Sequence, residues 1–143
     1  MTKPDLISED RETSRLLVVE VKESILESDQ DFFMHQLRAY ADALGNPKTV
    51  YYVLVDGERI RFYVESVPKP QPLAEFNTRE MLRPYAGEAV NGRMSEFLLA
   101  GMTQAWLRDL GTRWKEKNPP GLGRLDKISG LLDLLSKADV HIA

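Results

Sequence analysis

Asp5, Glu20 and Lys22 are the residues in this chain whose types and spacing can do chemistry together, with Gln36 as a possible support. Side chains of a strand alternate, so Glu20 and Lys22 share one face while Val19 and Val21 point to the other. A carboxylate and an ammonium at the end of an apolar strand are costly unless they are paired, solvated or bound to an ion. An ion pair at the strand edge is one answer and a divalent cation is the other. Asp5 separates them, because a hairpin joining it to Glu20, fifteen residues later, would set two carboxylates around one point. Such oxygen ligands suit Mg²⁺ or Mn²⁺, which takes one or two carboxylates and completes its shell with water and phosphate oxygen. A bound ion acidifies water and stabilises charge on phosphate, and the Lys22 ammonium can position that water or stabilise the charged transition state. These are the parts of a phosphodiester hydrolase.

The elements that must position these groups follow from the hydrophobic pattern. Arg15 to Lys22 reads as a strand buried on both faces, with Leu6-Ile7 as a shorter strand before it and the polar stretch Ser8 to Ser14 as the hairpin loop. A helix is expected from Asp29 to Leu44, with Phe33, Leu37, Tyr40, Ala41 and Leu44 at helical spacing and Gly45 and Pro47 as stops. Thr49 to Val55 and Ile60 to Val64 form a second hairpin around Asp56-Gly57, its second strand showing one face to water. Pro68, Pro70 and Pro72 predict an extended linker. Beyond it the pattern predicts a helix over Met94–Leu110 capped by Gly111, a loop at Pro119–Gly123, and a helix over Asp126–Ala138.

Lys3-Pro4-Asp5-Leu6-Ile7, Val19-Glu20-Val21-Lys22 and Gln36-Leu37-Arg38-Ala39-Tyr40 together resemble the PD-(D/E)XK, or restriction-endonuclease-like, superfamily. The likeness covers about residues 3–64 and is nearest to the nuclease domains of type I restriction subunits and related bacterial proteins. It implies an α/β fold, a mixed sheet flanked by helices. Asp5 and Glu20 would be ligands of Mg²⁺ or Mn²⁺, Lys22 would act at the attacking water, and Gln36 would orient the site. It also implies a metal-dependent nuclease acting on nucleic acid, DNA in the first instance. Family members usually carry a helix with a further acidic residue, and then a strand, before the Pro-Asp; here Met1 to Lys3 precede it, and no residue takes that acidic role. Three arrangements answer the departure. The C-terminal helices cover the sheet edge, a second subunit supplies the missing elements, or the chain is a shortened, catalytically silent module for assembly or binding. An uncovered edge favours a homodimer, held in part by the helix around Leu131 and Leu132. Residues 1–66 are thus expected to form the nuclease-like core and 67–143 a helical extension.

Composition sets the outer bounds. The chain has 143 residues, no cysteine and a net charge of −3, which excludes disulfides and thiolate metal sites. No apolar run approaches the roughly 20 residues of a membrane span, and the N-terminal residues resemble neither a secretory signal nor a transit peptide, so a cytoplasmic protein is expected. Residues 1–45 hold five Lys/Arg and ten Asp/Glu, against fourteen and twelve in the remainder, so the acidic part contains the candidate cation site. His35 and His141 are read as surface residues, Tyr40 as a core residue, and Trp106 and Trp114 as packing anchors. Arg108, Arg113, Lys115 and Lys117 are read as a solvated basic face.

Overall fold

The computed structural model describes residues 2–64 and 71–143. Six strands form one mixed sheet: β1 (Leu6–Asp10), β2 (Arg15–Val21), β3 (Thr49–Val55), β4 (Arg59–Val64), β5 (Ala74–Asn77) and β6 (His141–Ile142), in the order β5-β4-β3-β2-β1-β6. Only the β2–β3 pairing is parallel, and the helix α1 (Gln30–Ala43) makes the crossover that such a pair requires. The other pairings are antiparallel. No helix among the described residues is long and apolar enough to cross a membrane.

The unbroken apolar runs of β2 and β3 follow from burial on both faces. Leu17, Val19, Val21, Tyr51, Val53 and Val55 enter the larger core, while Leu16, Val18, Val50, Tyr52 and Leu54 face α1 in the smaller one. On α1 the buried positions are Met34, Leu37 and Ala41, whereas Leu44 is exposed. The water-facing side expected of β4 is only partly so: Tyr63 is buried beneath α1, while Arg59 and Arg61 pair with Glu75 of β5. The larger core is closed by α2 (Thr78–Ala86), α3 (Glu96–Thr112) and α5 (Leu131–Lys137), with the short α4 (Leu122–Leu125) between the last two. Trp106 lies fully buried there, in edge-to-face contact with Phe62 and Phe76, and its Nε1 donates to the Pro120 carbonyl at 2.9 Å.

Several expected boundaries move. The linker expected at Pro68, Pro70 and Pro72 falls mostly on residues 65–70, outside the described ones. Two strands and α2 follow, so residues beyond 70 contribute to the sheet as well as to its helical cover. The helix expected over 126–138 begins only at Leu131, after Gly130 at φ 80°, and the expected loop at 119–123 already turns helical at Leu122. Gly111 does not cap α3, which runs one residue further to Thr112 and ends on Arg113 in the left-handed region. Gly111 instead sits where α3 meets the α5 backbone, because a Cβ there would come within 2.0 Å of the Leu135 carbonyl oxygen.

That contact yields a stability prediction. Gly111→Ala should destabilise the protein by roughly 3 kcal/mol through overpacking of backbone on backbone. Gly101→Ala, whose Cβ would meet nothing within 4 Å, should stabilise α3 by about 0.5–1 kcal/mol through helix propensity. Denaturant midpoints of the two variants test this, and equal shifts of the same sign would refute the close approach.

Candidate active site

The site forms where β2 leaves the sheet. The β1–β2 register begins at Leu6↔Val19, and just before it the Asp5 amide donates to the Val19 carbonyl at 2.9 Å. The Asp5 Oδ2 then accepts the Val21 amide at 2.7 Å, so the backbone itself aims this carboxylate at the end of β2. Glu20 lies on the α1 side of the sheet, with its side chain 5% exposed. Lys22 follows on the same side, 34% exposed, and its Nζ lies 3.3 Å from Glu20 Oε1 and 5.9 Å from the centre of the Phe33 ring. Its amide donates to the Val55 carbonyl at 3.0 Å, which continues the β2–β3 ladder to the site. Asp5, Glu20 and Lys22 therefore converge.

Gln36 stands apart from that contact. Its Nε2 donates to Thr2 Oγ1 at 3.4 Å, so it ties α1 to the segment that carries Asp5. His35 and His141 are exposed, and Trp114 packs against Tyr85 at the far end of α3. Arg108 is taken up by Asp139, at 2.8 and 3.0 Å.

Two contributors are invisible in the short motifs. The first is Asp56, 7% exposed, whose carboxylate accepts the amides of Ile25, Glu58 and Arg59 and so binds the loop after Lys22 to the β3–β4 turn. The second is Glu96, the first residue of α3, which lies close enough to Lys22 to act on its charge. Its helix start is set by Ser95, whose Oγ accepts the Leu98 amide at 3.2 Å. Arg93, just before it, pairs with Glu23 at 2.8 Å and fastens this region to the loop leaving Lys22. Nothing local announces Glu96 as a neighbour of Lys22, since the two are brought together only by the packing of α3 on the sheet.

No family model, curated protein or solved structure matches this chain. Burial, followed by repulsion from the Asp5 carboxylate, pushes the Glu20 carboxyl up to about 7, against the opposing pull of Lys22. The two carboxyls are close enough to share a hydrogen bond. Burial alone would lower the Lys22 ammonium, but Glu20, with Glu96 and Asp5, outweighs it and holds its pKa above the ordinary lysine value. Lys22 is therefore a cation at neutral pH, a donor and a counter-charge rather than a base. Among the described residues, no group of three or more His, Cys, Asp or Glu side chains is placed to hold a metal ion. A cation at this corner must draw on two carboxylates and on solvent or substrate oxygen, which is the coordination habit of Mg²⁺.

The raised Glu20 pKa carries a sign. Protonated Glu20 stabilises the fold fully below the unfolded value of 4.5, and that stabilisation is lost as pH rises through about 7. In metal-free buffer Glu20→Gln should match the wild type near pH 4.5 and exceed it at pH 8 by roughly 2–3 kcal/mol. Urea unfolding across that range measures the difference, and a gap that stays constant with pH would refute the buried-carboxylate account.

Proposed function

We propose that the chain is a metal-dependent nuclease that hydrolyses phosphodiester bonds in nucleic acid, with Asp5 and Glu20 as the residues that would hold Mg²⁺ or Mn²⁺. The observation that carries this reading is a buried glutamate with a second carboxylate held beside it by the Val19 and Val21 backbone, and a lysine ammonium 3.3 Å away. The donor set is all oxygen, which fits a hard divalent ion. Such an ion supplies positive charge against the phosphate and acidifies water.

The remaining roles fall to the chain itself. Glu20 must be ionised to serve as a ligand, and at pH 7 a cation does this work in competition with a proton. Lys22 is positioned to donate a hydrogen bond and to offset the negative charge that grows on a phosphate oxygen. Asp5 is fixed by the Val21 amide, and Gln36 steadies the Asp5 segment through Thr2. The mixed sheet flanked by helices agrees with the restriction-endonuclease-like fold that the resemblance implies, and that finer assignment is part of this proposal.

Calorimetry with Mn²⁺ tests the reading. Binding should weaken about tenfold for each pH unit below 7, as the proton competes for Glu20. Asp5→Asn and Glu20→Gln should abolish it. Lys22→Ala should retain most of the metal affinity while losing about 100-fold or more in cleavage of DNA. Mn²⁺ binding that is indifferent to both carboxylate substitutions would overturn the site. Metal binding without cleavage of any DNA or RNA form would favour a silent module that uses the same fold for binding.

A further inference from the structure

Beside the site runs a groove whose walls are the two most exposed large apolar side chains of the described residues, Phe97 at 90% and Ile142 at 75%. The groove has a volume of about 360 Å³ and is also lined by Asp5, Glu96, the Ala100-Gly101 stretch of α3 and Gln104. A Cβ at Gly101 would meet nothing within 4 Å, so the groove is open there. The backbone that carries both side chains is anchored. Phe97 stands in the first turn of α3, which Ser95 caps. Ile142 pairs with Leu6 across β1–β6, and the strand leading to it is anchored to α3 by Gln104 Nε2 donating to the Val140 carbonyl at 2.9 Å.

Single exposed apolar residues need no explanation. Here, however, an aromatic ring and an aliphatic side chain form two walls of one slot that opens onto a catalytic carboxylate. We infer that Phe97 is a stacking platform for a nucleobase adjacent to the scissile phosphate, and that the substrate is nucleic acid with an unpaired base at the cut. This inference rests on the nuclease reading above. Asp5 belongs both to the proposed phosphate site and to the lining of this groove, and a base is joined to its phosphate by a single sugar, so a phosphate held at Asp5 has its neighbouring base beside the slot. Among the described residues the groove is lined by the carboxylates of Asp5 and Glu96 and by no Lys or Arg, so it suits the flat face of a base and not a second phosphate. A base paired within a duplex cannot enter without leaving its stack, whereas a single strand or loop offers it directly. Stacking on an aromatic face is tolerant of sequence, so the groove selects strand form more than base identity.

The test is the cleavage of a single-stranded oligonucleotide and of its duplex in Mn²⁺ by the wild type, Phe97→Ala and Phe97→Trp. Thermal melts should be unchanged, because Phe97 is exposed. The wild type should prefer the single strand. Phe97→Ala should lower kcat/KM on it by roughly 5- to 100-fold, mainly through KM, and Phe97→Trp should restore it. An abasic position beside the cut should cost the wild type a similar factor and cost Phe97→Ala nothing further. Equal activity of Phe97→Ala and wild type, or preference for the duplex, overturns the inference and leaves the nuclease standing. A folded wild type that cuts nothing overturns both.

Discussion

Two carboxylates set opposite each other at the end of a buried strand must share either a proton or a cation. That constraint governs this molecule. The Asp5 amide bonds the Val19 carbonyl and the Asp5 carboxylate accepts the Val21 amide, so the backbone on either side of Glu20 holds Asp5 beside it. Burial denies Glu20 the water that would otherwise carry its charge, and Lys22 is a partial remedy because the Glu20 pKa still rises to about 7. An arrangement that only stabilised the fold would be better served by a neutral pair, since replacing buried charges with neutral groups is often neutral or favourable. Retaining two acids in this corner has a physical rationale if a divalent ion supplies the missing charge.

The rest of the structure holds that corner still. Asp56 gathers three amides from two loops, and Gln36 reaches Thr2. The Glu23–Arg93 pair fastens the exit of β2 to the approach to α3. On the other side of β1, the edge that was expected to need a helix cover or a second subunit is paired over Leu6 and Ile7 by β6. Elements from the end of the chain thus brace residues from its beginning, and α3 brings a further carboxylate, Glu96, toward Lys22.

How much of this was legible depended on whether the signal was local. The β1–β2 hairpin, α1, β3 and β4 were legible because period-2 and period-3.6 patterns are written in adjacent residues, although β1 runs on to Asp10 through polar residues expected to be loop. The convergence of Asp5, Glu20 and Lys22 followed from strand alternation and one hairpin. The four-residue β5 carries Glu75 and Asn77 among its residues and gave no strand pattern to read. The two-residue β6 was likewise illegible, since only its pairing with Leu6 and Ile7 defines it. Gly111 was misread because a glycine after an apolar helix signals a cap, whereas here it serves a contact with a backbone 24 residues away, at Leu135. Glu96 escaped for the same reason, because its neighbour Lys22 is chosen by tertiary packing and not by spacing.

The charge pattern of the corner also bears on how a polyanion could reach it. Among the described residues, Asp5, Glu20 and Glu96 act on Lys22, and the nearby Arg93 is committed to Glu23. With all three acids ionised, the corner is net negative and repels a phosphate backbone. A divalent ion at Asp5 and Glu20 reverses that balance, so on the nuclease reading metal and nucleic acid must help each other bind. Linkage makes that help reciprocal: whatever factor the ion adds to nucleic-acid affinity, the nucleic acid adds to affinity for the ion. The acidic character of the first 45 residues is then no obstacle to a nucleic-acid substrate. On that reading it makes engagement of the phosphate conditional on the cation that the proposed chemistry would use.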